Sequence, residues 1–277
     1  MSKTIFVLID GLGYTQATEN LGFPEHLIEQ GMGIKAKVMS ELPSSSRPLY
    51  ETLLTGLPVV KHGIASNLVV QRSTSKSIFD LCRENNLKTS ASAYYWISEL
   101  YTCAPFDPVQ HRIQLNQDGI IQNGIYYFED FYPDSHVFAE AEYLRRSFDP
   151  DFLFVHSMNV DDAGHKEGSN SALYYKTVAK LNIVLSSVLP LWLREGYQVV
   201  ITADHGMSDY GLHGGNSPGQ RMVPLYIFSN QTIHKKGLFD ENALPQLMIA
   251  PALCALLGID QSEGMKSLSA LGVDLFE

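Results

Sequence analysis

Thr4-Ile5-Phe6-Val7-Leu8-Ile9-Asp10-Gly11 sets a run of apolar and β-branched residues directly against a carboxylate and a glycine. A run without polar alternation reads as a strand buried on both faces, as in a parallel sheet. Two later stretches have the same form. Phe152-Leu153-Phe154-Val155 leads through a short polar stretch to Asp161-Asp162-Ala163-Gly164-His165. Gln198-Val199-Val200-Ile201-Thr202 runs into Ala203-Asp204-His205-Gly206, with His213 a few residues on. Three strand ends thus each deliver an aspartate, and three histidines follow closely. Oxygen and nitrogen donors gathered at the carboxyl ends of parallel strands make a metal site in the binding crevice of an open α/β sheet.

Outward from these strands the pattern alternates. The amphipathic stretch Ala17 to Gln30 reads as a helix ended by Gly31 and Gly33, and Ile34 to Met39 as a strand. Pro48 to Leu54 reads as a helix with proline in its first turn, ending near Gly56. Helices are expected at 77–85, 135–148, 171–194 and 244–257, and strands at 88–95 and 223–228. Pro105, Pro108, Gly119, Gly124 and Pro133 break the periodicity of 103–135, which reads as a small cap or an irregular excursion over the sheet. Alternation of this kind implies a single three-layer α/β/α domain with a mostly parallel sheet across residues 1–277.

Composition narrows the function. The 277 residues are 45% hydrophobic, with 14 Tyr and 13 Phe, enough for one large core. The formal charge of -10 is spread along the chain, with no basic stripe for a nucleic acid polymer and no basic cluster for an anionic membrane. The amino terminus enters a strand without a signal-peptide pattern, and no apolar run is long enough to span a bilayer. Cys82, Cys103 and Cys254 fit neither a disulfide framework nor a thiolate zinc site and read as filler in a reducing compartment. The expectation is a cytoplasmic protein with a small-molecule partner.

Taken singly, each candidate has a plain alternative. Asp10 suits a turn or a helix cap, Asp161 with His165 an ordinary surface pair, and Asp204-His205-Gly206 a turn. In combination and in order they carry a resemblance. Ile9-Asp10-Gly11, Pro48-x-x-x-Thr52-Leu53-x-Thr55-Gly56, His62-Gly63-Ile64 with Asn67, Asp161-x-x-Gly164-His165, Asp204-His205-Gly206-Met207 and His213-Gly214 together resemble the alkaline phosphatase superfamily, specifically its nucleotide pyrophosphatase/phosphodiesterase branch.

The resemblance implies an alkaline phosphatase-like fold and two divalent metal ions, zinc first and manganese or iron as alternatives. Asp161, His165 and His213 would hold one ion; Asp10, Asp204 and His205 the other. It implies Ser46, two residues before the motif proline, as the nucleophile and a ligand of the second ion, and Asn67 as the donor to a phosphoryl oxygen. Its spacing selects Asp161 over Asp162. His62 and His156 read as structural. The chemistry suits these types: a metal-activated hydroxyl attacks phosphorus, two ions roughly 4 Å apart hold nucleophile and leaving oxygen, and an amide donor stabilises the developing charge.

Two divalent ions balance three aspartates and a serine alkoxide, so the site suits the single charge of a phosphodiester or pyrophosphate at the reacting phosphorus. Arg47 departs from the branch, where this place is commonly apolar or aromatic. It would clamp a second anionic group of the substrate, face solvent, or pair with Glu51 one turn on. The first of these points to a phosphomonoesterase or phosphonate hydrolase instead, and a catalytically idle, metal-dependent binding protein is the reading from outside enzymology. The partner expected is a small phosphate ester, pyrophosphate or phosphonate.

Overall fold

A computed structural model describes residues 2–229, 237–239 and 242–275. Ten strands form one sheet: β1 (Lys3–Ile9), β2 (Ile34–Met39), β3 (Thr89–Tyr94), β4 (Ile113–Gln114), β5 (Asn123–Tyr127), β6 (Phe152–Ser157), β7 (Tyr197–Thr202), β8 (Met222–Phe228), β9 (Gly237–Leu238) and β10 (Leu244–Pro245). Their order is β10-β2-β8-β7-β1-β6-β3-β5-β4, with β9 also paired to β2. The central five, β7-β1-β6-β3-β5, run parallel, and among the described residues antiparallel pairing is confined to β7 with β8, β8 with β2, and β4 with β5. The fold is the mixed, mostly parallel α/β sheet expected from the buried-strand pattern. Every residue of β3, β5, β6 and β7 is buried, and the apolar runs of β6 and β7 are those of strands covered on both faces.

Helices cover the sheet in two groups. Asp134–Phe148 lies on β3 and β6, Ala172–Arg194 lies on β7, and the two pack on each other. Ile249–Leu257 lies on β1 and packs on Ser46–Thr55, while Ile78–Glu84 joins them over β3. The apolar ladder Tyr174, Val178, Leu181, Leu185, Leu189 and Trp192 fixes the long helix by its inner stripe. That helix corrects the expectation that no apolar run is long enough for a bilayer: by length and composition, with mean hydropathy 1.2, it is. Its inner stripe is nonetheless committed to the core.

Three local departures have local causes. The helix expected over 17–30 is two helices, Tyr14–Asn20 and Gly22–Glu29, broken at Leu21. Pro24 lacks the N–H that one continuous helix would need there, and its ring would strike the carbonyl four residues back. The helix expected over 244–257 begins as a bridge at 244–245 and a 3-10 turn at 246–248, because Pro245 delays it. Within 103–135, after the short helix Pro108–His111, the chain returns as β5 and pairs in parallel with β3.

The register places the site. Leu8 pairs with both His156 and Thr202, so β1, β6 and β7 end level with one another. The residues just beyond them share one edge of the sheet, with β6 and β7 on opposite sides of β1. That edge is the binding crevice of an open α/β sheet.

Candidate active site

Asp10 leaves β1 fully buried, and Gly11 follows at φ +71°, a left-handed conformation that favours glycine. A Cβ at Gly11 would stand 2.7 Å from Asp161 Oδ1 and 2.9 Å from the Asp161 Cα, so glycine also permits the approach of the second carboxylate. Asp161 and His165 stand one turn apart on the helix Asn159–Glu167, where the sequence suggested only a polar stretch. Asp162 points elsewhere and pairs with Lys166 at 2.5 Å, which separates the two adjacent aspartates. Asp204 and His205 follow β7, both fully buried. His213 is brought in by a loop pinned to Ser44: the Ser44 hydroxyl accepts from Gly214 N at 3.1 Å and donates to the Gly215 carbonyl at 2.7 Å.

These six side chains converge. His213 Nε2 lies 3.1 Å from His165 Nε2 and 3.9 Å from Asp161 Oδ1, and His165 Nε2 is 3.3 Å from Asp161 Oδ2. His205 Nε2 is 3.5 Å from Asp10 Oδ1 and 3.3 Å from Asp204 Oδ2, and it sits within 4.8 Å of donor atoms of Asp161 and His213 as well. Ser46 Oγ lies 3.1 Å from His205 Nε2. Ligands on one tetrahedral cation at ~2.0–2.1 Å stand about 3.3 Å apart, so these separations are those of coordination edges.

The hydrogen bonds around the cluster prepare it for cations. Each histidine gives its Nδ1–H to a backbone carbonyl: His165 to Gly211 at 2.9 Å, His205 to Gly206 at 2.9 Å and His213 to Ser44 at 3.0 Å. That fixes the tautomer with the Nε2 lone pair turned inward. Each aspartate has one oxygen committed and one buried oxygen, Asp10 Oδ1, Asp161 Oδ1 or Asp204 Oδ2, without a hydrogen-bond partner. Buried orphan acceptors are costly, and cations placed between them would remove that cost. The residues therefore fit two divalent ions, and an all-nitrogen-and-oxygen donor set without thiolate suits zinc, manganese or iron.

The electrostatics of the bare side chains agree. Burial and the charge of Asp10 hold the Asp161 carboxyl above its ordinary range. Burial and the charges of Asp10 and Asp161 push Asp204 well above it. Burial would also raise Asp10, but the His156 hydrogen bond and the nearby imidazoles bring it down to about 2. His165, hydrogen-bonded to Asp161, is pushed up to about 9, while burial lowers His213 to about 4 and also lowers His205. Three carboxylates this close do not all ionise without compensating positive charge.

Ser46 is the first residue of the helix Ser46–Thr55, which Gly56 closes at φ +67°. A helix start presents free N–H groups and the positive end of the dipole to an anion. Asn67 Oδ1 accepts the Arg47 backbone N–H at 3.0 Å, which orients the amide. A cleft of about 130 Å³ opens over Ser46 and Asn67, walled by Tyr94, Trp96, Asp130 and Met158 and floored by Asp161, His165 and His213.

Arg47 goes to none of the three expected places. Its side chain is buried, donates to Glu99 Oε2 at 2.6 Å and to the Val69 carbonyl at 2.9 Å, and lies 4.5 Å from the centre of the Trp96 ring. Glu51 instead accepts from Ser73 and from Tyr101. An arginine with its own buried carboxylate is an internal ion pair, and Arg47 does not line the cleft. His62 binds Thr52 at 3.0 Å and accepts from Ile64 N, away from the cluster. His156 is buried as a core histidine, yet its Nε2 donates to Asp10 Oδ2 at 3.1 Å, and Tyr50 donates to the same oxygen. Sequence reading missed both supports of Asp10. The signal for His156 lay in the strand register, which puts it beside Leu8, two residues before Asp10 on the same face.

Comparison with known proteins bears on this geometry. A family model described as type I phosphodiesterase / nucleotide pyrophosphatase matches residues 4–217. The catalytic subunit of human GPI ethanolamine phosphate transferase 2 is 23% identical over 274 residues, covering 93% of this chain and 26% of that protein. The chain spans between 10% and 26% of the length of the human ethanolamine phosphate transferases it matches. Among solved structures, an inactive variant of murine ectonucleotide pyrophosphatase/phosphodiesterase 5 in complex with AMP superposes with a TM-score of 0.74 at 14% identity, covering 98% of this chain and 99% of that one. The phosphonate monoester hydrolase of Agrobacterium radiobacter superposes at 0.70, also at 14% identity, over 99% and 78%. At such identity these two likenesses concern the fold.

Proposed function

The chain belongs to the type I phosphodiesterase / nucleotide pyrophosphatase family, and from that premise we propose that it is a two-metal hydrolase of phosphodiester or pyrophosphate bonds acting through a covalent phosphoseryl group on Ser46. The observation that carries this reading is the Ser46 hydroxyl, 3.1 Å from His205 Nε2, beside three aspartates that each offer an orphan oxygen. Cations held by Asp161, His165 and His213 and by Asp10, Asp204 and His205 would supply the charge that acidifies a serine hydroxyl and offsets a leaving oxygen.

The chain's own groups do the rest. Ser46 Oγ bonds to phosphorus as the bond to the leaving alcohol or phosphate breaks, and water then cleaves the phosphoseryl ester. Helix-start N–H groups and the Asn67 amide stabilise the nonbridging oxygens, Asn67 Oδ1 being held by Arg47 so that Nδ2 is the donor. Four positive charges against three aspartates and an ionised serine favour a phosphorus centre that carries one negative charge.

The phosphomonoester and phosphonate reading drew on Arg47 and on the compactness of the chain, and the Arg47–Glu99 pair takes away the first of these. Transfer to an alcohol, the activity in the name of the human relative, differs from hydrolysis only in what opens the phosphoseryl ester; products formed with added alcohol separate the two.

Ser46→Ala should keep its bound metal and lose at least ~10³-fold in kcat on bis-p-nitrophenyl phosphate. Wild-type-like turnover in that variant would exclude Ser46 as nucleophile. The zinc-loaded protein should prefer this diester over p-nitrophenyl phosphate and phosphonoacetate by more than ~100-fold, on the order of 3 kcal/mol.

A further inference from the structure

A second cavity, of about 520 Å³, shares no lining residue with the cleft over Ser46. Its wall is built from the continuations of the cluster's own segments. Gly13 to Gln16 follow Asp10, Ser169 and Asn170 follow His165, Met207 to Tyr210 follow His205, and Ser217 to Gly219 follow His213. Backbone bonds tie these continuations together, from Gly206 N to the Gln220 carbonyl at 2.9 Å and from Ser169 N to the Ser208 carbonyl at 3.1 Å. The wall is therefore preformed, and the volume exceeds the ~300 Å³ at which pockets for small organic ligands begin.

One cationic side chain lines this cavity among the described residues, that of Lys37. Lys35 and Lys37 alternate onto one face of β2, and the Tyr14 ring lies against both ammonium groups, at 5.3 and 4.9 Å. Lys35 is neutralised by Glu25 at 2.7 Å. Lys37 is half-buried and has no carboxylate paired to it among the described residues. A charge partly withdrawn from water and left without a counter-ion favours an incoming anion.

The other charged group in the wall is Asp209, whose Oδ1 accepts from Ser169 Oγ at 2.9 Å. A carboxylate accepts from a ligand hydroxyl and repels a second anion placed beside it. Around these two charges stand the hydroxyls of Thr15, Ser208 and Ser217 and the amides of Gln16 and Asn170, which both donate and accept. A single uncompensated ammonium balances a single negative charge, so the set suits a carboxylate better than a doubly charged phosphate monoester.

We propose that this cavity binds a small hydroxycarboxylic acid, its carboxylate on Lys37 and its hydroxyl groups on Asp209 and the neutral polar side chains of the wall. The proposal is independent of the phosphodiesterase reading, because none of the clustered aspartates and histidines takes part.

The test uses the zinc-loaded full chain and calorimetric titration with quinate, a polyhydroxylated cyclic acid, and with methyl quinate, its uncharged ester. Quinate should bind about tenfold more tightly, as expected for a hydrogen bond to a charged group. Lys37→Gln should bring acid and ester to within about twofold of each other, while Lys37→Arg should keep the preference. Ser217→Trp narrows the cavity without touching Lys37 and should weaken both compounds by about tenfold. Cyclohexanecarboxylate, which keeps the charge and lacks the hydroxyls, should bind about tenfold more weakly than quinate. No saturable binding of quinate, equal binding of acid and ester by the wild type, or a preference that survives Lys37→Gln overturns the proposal. The last of these results would place the carboxylate elsewhere, bound zinc included. Equal affinity for quinate and cyclohexanecarboxylate, or quinate binding unchanged in Ser217→Trp, overturns it as well.

Discussion

Asp10 shows how one residue's role depends on two others. Its Oδ2 is taken by His156 and Tyr50, which leaves Oδ1 alone to face His205. Without those partners the carboxylate is free to turn, and a cation would lose an oriented ligand. His156→Ala should therefore weaken zinc affinity by about 10–100-fold, with activity recovering at high zinc; competition against a chromophoric chelator measures it. Unchanged affinity would make His156 a packing residue only. The converging aspartates and histidines were legible because those residue types at strand ends are rare enough to notice together. Tyr50 and His156 were not, since each looks like a core residue until helix and strand are packed. Arg47 was misplaced for the converse reason: its partner Glu99 lies 52 positions on, and only local partners such as Glu51 are visible in a sequence.

The helix Ser46–Thr55 is buried along its whole length and carries Glu51 as well as Ser46. Burial pushes Glu51 up to about 7, against hydrogen bonds from Ser73 and Tyr101 that pull it down. The folded state thus binds this proton more tightly than the unfolded chain, whose glutamate titrates near 4.5. Stability from this group is greatest below that value, falls as pH rises through about 7, and is then flat. The loss is roughly 3 kcal/mol. Glu51→Gln should remove the decline, so that the variant's advantage over wild type in urea unfolding grows between pH 5 and 7.5 and then levels; a constant difference would refute the buried carboxyl as its source. At this scale the sequence was informative where capping and proline rules apply, as with Gly56 ending the helix at φ +67°. It failed where proline acts inside an apparently amphipathic stretch, as Pro24 does. The helix Asn159–Glu167 was overlooked because Asp161 and His165 put polar residues on its inward face, which hides the usual periodicity.

Across the whole molecule, the site is the place where three neighbouring strands, β7, β1 and β6, release their chains level with one another. The buried-strand pattern foretold a mostly parallel α/β sheet, but not strand order, which depends on crossovers with no local signature. β5 shows this: it lies in the stretch read as a cap or excursion and closes onto β3. The arrangement has a consequence for stability. Cations would link the loops after β1, β6 and β7 to the loop of His213, tying together segments far apart in sequence, and they would bind a site that the unfolded chain lacks. Ligand bound only by the native state stabilises it by about 2.7 kcal/mol at a hundredfold excess over Kd for each site, worth roughly 5 °C or more in a chain of this size. Stripping the protein with a chelator should lower Tm by at least that amount, and zinc should restore it. Ser46→Ala should show nearly the same shift although it is inactive, because the six charged and imidazole ligands remain. A chelated protein that melts with the zinc-loaded one would mean that the orphan oxygens of Asp10, Asp161 and Asp204 are not a cation site, and would remove the ground for the phosphoryl chemistry as well.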